Sequence, residues 1–225
     1  MSCSNIEPLI ETIATASLYE CGHIGLSGQS SEIYTAYERL RDKATDEELI
    51  ELFHHQNSLV SVYAGYALID KKIMTADKVF GEIIKRDTVL STMCGCLLSS
   101  SKASQLIYSH YWNTRQTLID DQERHFEIKD SASLLRMDSI ILHSNIYDLL
   151  YPIYVFRNRV YPKSYNTLIE QWAFEKEDFY ALEYTHKNIR QGNEEKLKSV
   201  LRKKFESEDT YVSQKAKIVQ MLKEI

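Results

Sequence analysis

Chain breakers are scarce in this sequence: 225 residues carry seven glycines and three prolines, against ordinary usage of about one residue in eight for the two together. That scarcity leaves little room for a turn-rich architecture. With abundant Leu, Ile, Glu, Lys and Ala, it predicts helices joined by short loops. Cysteine is scarce too. Cys3, Cys21, Cys94 and Cys96 are too few to frame a chain of this length with disulfides, so free thiols in a reducing compartment are expected. No basic start is followed by an apolar run, and no apolar run is long enough to span a bilayer, which predicts a cytoplasmic protein. Positive charge is in deficit: 27 Lys+Arg stand against 32 Asp+Glu, for a net charge of −5. The acidic excess lies before residue 187 and the basic residues gather after it. An acidic body repels phosphate backbones, so general nucleic-acid binding is disfavoured.

What is present is helical patterning. Thr45 and Glu48 form a T-x-x-E capping box that opens a helix, and Glu47, Glu48 and Glu51 suit its N-terminal dipole. Leu49, Leu52 and Phe53 give one apolar stripe; Val60, Ala64, Ala67 and Leu68 give a second beyond Asn57. Two helices joined by so few residues pack as an antiparallel hairpin. Phe80, Ile83 and Ile84 repeat the first stripe, while Val89, Met93, Cys96 and Leu97 repeat the second 29 positions later. Segments 45–72 and 75–98 therefore read as two stacked helical hairpins. A fainter echo, Leu197, Val200 and Leu201 followed by Val212, Ala216 and Val219, closes the chain.

The segment "NSLVSVYAGYAL" resembles the second helix of a HEAT repeat: Asn57, Val60, Ala64, Ala67 and Leu68 match its pattern, and Ser61 stands where that repeat usually has arginine. The wider chain resembles uncharacterised HEAT-like proteins of Bacteroidetes, most closely over residues 30–98. The resemblance implies an all-α fold, an α-solenoid of stacked antiparallel hairpins. It would form a single domain over 1–225, with an irregular middle at 113–160 and C-terminal hairpins over 163–225. It carries no assigned activity. Some DNA glycosylases are built from HEAT-like repeats, so DNA binding or base excision is one alternative function.

Candidate chemistry is sparse. His54 and His55 are adjacent, so their rings point about 100° apart on a helix and do not share a metal; their place suits a helix end. Cys94 and Cys96, with Cys21 and His23, offer four soft ligands for a zinc-stabilised domain, a second alternative. A C-x-C pair on a helix splays its sulfurs, and Cys96 falls where Ala67 falls in the preceding repeat, so buried small hydrophobes are the simpler expectation. The loop "CGHIGLSGQSSE" (21–32) could hold an anion at a helix start. It is no nucleotide fingerprint, however, since no strand is expected before it, and a connector ending in a serine cap accounts for it. The acidic pairs Asp120/Asp121 and Glu47/Glu48 read as solvated helix starts. No catalytic residue, cofactor or metal site is expected.

The tyrosine-rich stretch 146–165 is the interaction candidate. Tyr147, Tyr151, Tyr154, Arg157, Arg159 and Tyr161 combine large contact area with polar tips, as interfaces do, although the same spacing also suits a core. The basic segment 196–204 is a solvated face or a docking patch. The function expected is a non-catalytic scaffold that binds a protein or peptide through the solenoid surface.

Overall fold

A computed structural model of the chain describes residues 6–120, 125–128, 131–144, 151–157 and 159–225, with the backbone alone at 117–120 and 125–128. The residues cluster into two compact units: Met1–Gln116 with Lys129–Met137, and Thr117–Ile128 with Asp138–Ile225.

The first unit contains α1 (Glu7–Ala14), β1 (Tyr19–Ile24), β2 (Gln29–Ser30), α2 (Glu32–Lys43), α3 (Asp46–Phe53) and α4 (Ser58–Asp70). It continues with α5 (Ala76–Ile83), β3 (Val89–Gly95), β4 (Leu97–Lys102) and α6 (Ala103–Thr114). The four strands form one mixed sheet in the order β2-β1-β3-β4. The two hairpins β1–β2 and β3–β4 are antiparallel, and β1 runs parallel to β3 where they meet. This sheet overturns the all-α solenoid. Two signals hid it. Val89, Met93 and Leu97 sit at helical spacing by coincidence, within a run of β-branched residues and serines that form helices poorly. The pairing of β3 with β1 joins segments some 70 residues apart, a contact that no local periodicity encodes.

The helical hairpin read from the sequence does form. Thr45 and Glu48 complete a reciprocal capping box, and His54 is the C-cap residue of α3. Asn57 caps α4 by accepting from the N–H groups of Leu59 and Val60. Every residue of α4 from Leu59 to Ile69 is buried, as befits a helix apolar on all sides. Close packing explains Gly65, where a Cβ would come within 2.8 Å of Ile107 Cδ1 and 3.2 Å of Val79 Cγ1. The arginine missing at position 61 is supplied from elsewhere. Arg86 donates to Ser61 Oγ at 3.0 Å and to the Phe53 carbonyl, so it ties the end of α3 to α4.

Tyrosines fill the space between α4 and the sheet. Tyr63 stacks on Tyr19 and on Tyr37, with Tyr66 edge-on to all three. Each buried hydroxyl is engaged. Tyr63 Oη donates to the Glu20 carbonyl (2.7 Å), Tyr66 Oη to that of Leu106 (3.0 Å), and Tyr37 Oη to Asp70 (2.6 Å). Burial pushes the phenols of Tyr37, Tyr63 and Tyr66 far above their ordinary value. In the unfolded chain these groups ionise near pH 10, so the stability they contribute is present below that pH and is lost as pH rises above it. In an ultraviolet titration they should ionise only together with loss of the helical circular-dichroism signal. Ionisation of all fifteen tyrosines with that signal intact would contradict this packing.

The second unit contains β5 (Gln116–Asp120, beginning at the unit boundary) paired with β6 (His125–Ile128), and α7 (Ala132–His143), of which Asp138 onward belongs here. It continues with α8 (Tyr151–Phe156), α9 (Asn166–Phe174), α10 (Phe179–Asn188), α11 (Glu194–Glu206) and α12 (Val212–Glu224). Pro152 stands in the first turn of α8, where its missing N–H costs nothing. Asp178 caps α10, and buried Trp172 donates to the Leu142 carbonyl at 3.0 Å. Among the described residues, no helix is long and apolar enough to cross a membrane.

Candidate functional site

The feature with the least structural explanation is the outer edge of the sheet. Cys94 pairs with Leu97, which leaves Gly95 and Cys96 as a two-residue hairpin loop. Gly95 takes φ +56°, as the first position of a tight hairpin turn requires. That turn fixes the ladder. Leu97, Ser99 and Ser101 exchange hydrogen bonds with β3, so Leu98 and Ser100 direct their N–H and C=O groups away from it. Thr92 Oγ1 and Ser99 Oγ, 2.7 Å apart, lock the register from the side chains. No described residue supplies a backbone partner to Leu98 or Ser100 on the outer side.

Exposed apolar side chains stand on this edge strand and at two further places on the sheet. Leu97 is 71% exposed and Leu98 67%. Val89, on the same face of the sheet as Leu98, is 67% exposed. The β1–β2 loop adds Leu26 at 96%. Gly25 donates to the Gly95 carbonyl at 2.8 Å, which holds that loop beside the β3–β4 turn. Cys21 and Cys94 are joined as a disulfide across β1 and β3, their Cα atoms 4.9 Å apart, and Cys96 is free and exposed at the tip.

The cysteines therefore depart from expectation. Cys21 and Cys94 are bonded rather than free, because the parallel pairing brings together strands that lie 73 residues apart in sequence. Cys96 is exposed rather than buried like Ala67, because its segment is a turn and not a helix. The bond also uses two of the four suggested zinc ligands. Among the described residues, no group of three or more His, Cys, Asp or Glu side chains is placed to hold a metal. The glycine loop follows a strand after all, as the turn of β1–β2, and Ser31 caps α2 by accepting from the Tyr34 N–H. His55 Nδ1 accepts from the Asn57 N–H at 3.0 Å, so that ring serves the α3–α4 turn.

Of the tyrosine-rich candidates, Tyr151, Arg159 and Tyr161 are buried inside the second unit. Arg159 Nη2 meets Asp138 at 2.6 Å with both side chains fully enclosed. Tyr161 donates to the Val155 carbonyl and stacks on Tyr165. Tyr154 is partly exposed, Arg157 is exposed, and Tyr147 lies outside the described residues, as does Asp121. The basic segment of α11 is engaged in part: Lys198 pairs with Glu195, Lys203 pairs with Glu177, and Lys196 lies over the Phe174 ring.

Two other clusters hold titratable groups. Asp70, at the end of α4, accepts from Tyr37 and pairs with His110 Nε2 at 2.8 Å, with Arg41 3.9 Å away. Burial pushes its carboxyl up, but the hydrogen bonds from His110 and Tyr37 outweigh this and hold it below the usual range. The His110 ring lies flat on Tyr66 at 3.9 Å. The set joins α2, α4 and α6. An open groove of about 600 Å³ lies between α10 and α12. Within it Lys217 pairs with Glu183, and Arg190 donates to the backbone carbonyl of Glu224.

Comparison with known proteins finds no family model, no curated protein and no solved structure that matches the chain. The likeness to HEAT repeats thus rests on the residues of the α3–α4 hairpin. The base-excision reading, which depended on a HEAT-like solenoid, loses that footing with the sheet. Sequence reasoning missed Leu97, Leu98 and the open backbone between them. The available signal was Gly95-Cys96 set between two short runs rich in Val, Thr, Leu and Ser, a hairpin pattern.

Proposed function

We propose that the chain is a binding module that takes an extended segment of a partner protein as an added strand along β4. The observation that carries this is a six-residue edge strand whose outward backbone has no partner among the described residues and whose leucines face solvent. Sheets in monomeric proteins blunt such edges with proline, charge, bulges or a covering helix. β4 has no proline or bulge, and its first charge comes at its last residue, Lys102. The chemistry of the edge selects the occupant. Outward N–H and C=O groups at Leu98 and Ser100 are satisfied by another extended backbone, not by a helix, which satisfies its own. Side chains alternating along the added strand would place apolar residues beside Leu98 on one face and beside Leu97 on the other, with the Lys102 end of β4 favouring an acidic or polar neighbour.

The register provides the test. Ser100→Pro removes an outward donor and leaves the ladder to β3 intact, whereas Ser99→Pro removes an inward one. A displayed library of short random linear peptides panned on the wild-type chain should enrich sequences of alternating apolar residues. Their binding should disappear on Ser100→Pro, while the thermal midpoint stays close to wild type. Ser99→Pro should instead lower the midpoint. No enrichment, or enriched peptides that bind Ser100→Pro equally well, would remove the proposal. A light-scattering mass of two chains that reverts to one in Ser100→Pro would reassign the edge to a second copy of this chain.

A further inference from the structure

The cysteines at the hairpin tip carry chemistry that strand addition does not use. Cys21 and Cys94 are bonded across two parallel strands, and Cys96 holds a free thiol two residues beyond Cys94. Cys94 is exposed, whereas Cys21 is only partly so, which favours Cys94 as the residue an incoming thiol meets. Residues two apart are about 7 Å from each other when the chain is fully extended. A tight turn holds the two ends of its loop closer than an extended chain does, and a disulfide accepts Cα separations of about 4.4–6.8 Å. Nothing lies within 4 Å of a Cβ built on Gly95, so the turn between the two sulfurs is uncrowded.

We infer that Cys96 is the resolving thiol of the Cys21–Cys94 bond, making the tip a thiol–disulfide exchange site for monothiols. An incoming thiolate attacks Sγ of Cys94. A mixed disulfide forms there, and the Sγ of Cys21 departs as a thiolate and takes a proton from water. With no third sulfur, Cys21 attacks back and the original bond returns. Cys96 competes: its thiolate attacks Sγ of Cys94, the Cys94–Cys96 bond forms, and the incoming thiol is expelled unchanged. Two further monothiols then reduce Cys94–Cys96, and they leave joined to each other as a disulfide. In sum, two monothiols are oxidised and the Cys21–Cys94 bond is reduced. The intermediate differs mechanically from the starting bond. Cys21–Cys94 clamps β1 to β3, whereas Cys94–Cys96 ties only its own turn and leaves β1 unrestrained by any covalent link.

The test compares oxidised wild type with Cys96→Ser, a change at an exposed position that keeps the original bond. Each is exposed to reduced glutathione, quenched with an alkylating reagent at intervals, and mapped for labelled Cys21. Cys21 should emerge on the order of tenfold more slowly in Cys96→Ser. With dithiothreitol, whose second thiol resolves the mixed disulfide itself, the two proteins should release Cys21 at the same rate. Equal rates under glutathione would overturn the inference. So would equal slowing under both reductants, because that is the mark of altered access rather than of a missing resolving thiol.

Discussion

Reducing the Cys21–Cys94 bond should lower the stability of the first unit by about 4 kcal/mol, the loop-closure value for a separation of 73 residues. The physical reason lies in the unfolded chain, where the bond forbids β1 and β3 from drifting apart and so removes conformations that folding would otherwise have to give up. The two strands are parallel neighbours with four helices between them in sequence, so their pairing closes a long loop. Urea unfolding of oxidised protein and of Cys21→Ser measures the difference. The molecule supplies convenient reporters, because its two tryptophans, Trp112 and Trp172, fall one in each unit. Trp172→Phe leaves Trp112 to report on the first. A difference under about 1 kcal/mol would mean that β1 and β3 stay together in the denatured ensemble without the bond.

Asp138→Ala should destabilise the second unit by about 3–5 kcal/mol, the usual cost of stranding one half of a buried ion pair. Asp138 and Arg159 are fully enclosed and meet at 2.6 Å, and the guanidinium also lies over the Tyr161 ring at 5.4 Å. Removing the carboxylate takes from a buried cation the charge it faces. Replacing both residues, Asp138→Leu with Arg159→Met, should recover most of the loss, because the charge that needed its partner is gone. Urea denaturation followed by Trp172 fluorescence in a Trp112→Phe background measures both. If Asp138→Ala falls within 1 kcal/mol of its parent, the pair is not closed to solvent, and Arg159 returns to the surface as a contact residue.

Legibility in the sequence tracked the range of the interactions involved. The box of Thr45 and Glu48, the cap at Asn57 and the hairpins α3–α4, α9–α10 and α11–α12 rest on neighbours a few residues apart, and periodicity reveals such neighbours. The tyrosines of 146–165 stand together in one stretch and are visible for that reason. The stack of Tyr19, Tyr37, Tyr63 and Tyr66 draws one ring each from β1 and α2 and two from α4, so no single window contains it. The candidate site was misread for a related reason. Val89 to Leu97 satisfies a helical template when taken alone, and its strand character depends on β1 lying alongside.

By itself, the sequence determined where the α3–α4 hairpin begins and turns, because capping side chains and apolar stripes act within one or two turns. It also determined that the chain has an apolar core to bury, an acidic body and a basic tail. Only the tertiary structure decided that the segment after α5 is a β-hairpin, that Cys21 meets Cys94, that Arg159 is a buried partner of Asp138, and that Leu97 and Leu98 flank an open edge. Each of these depends on which distant segment packs alongside, and burial and pairing are properties of that neighbour as much as of the residue.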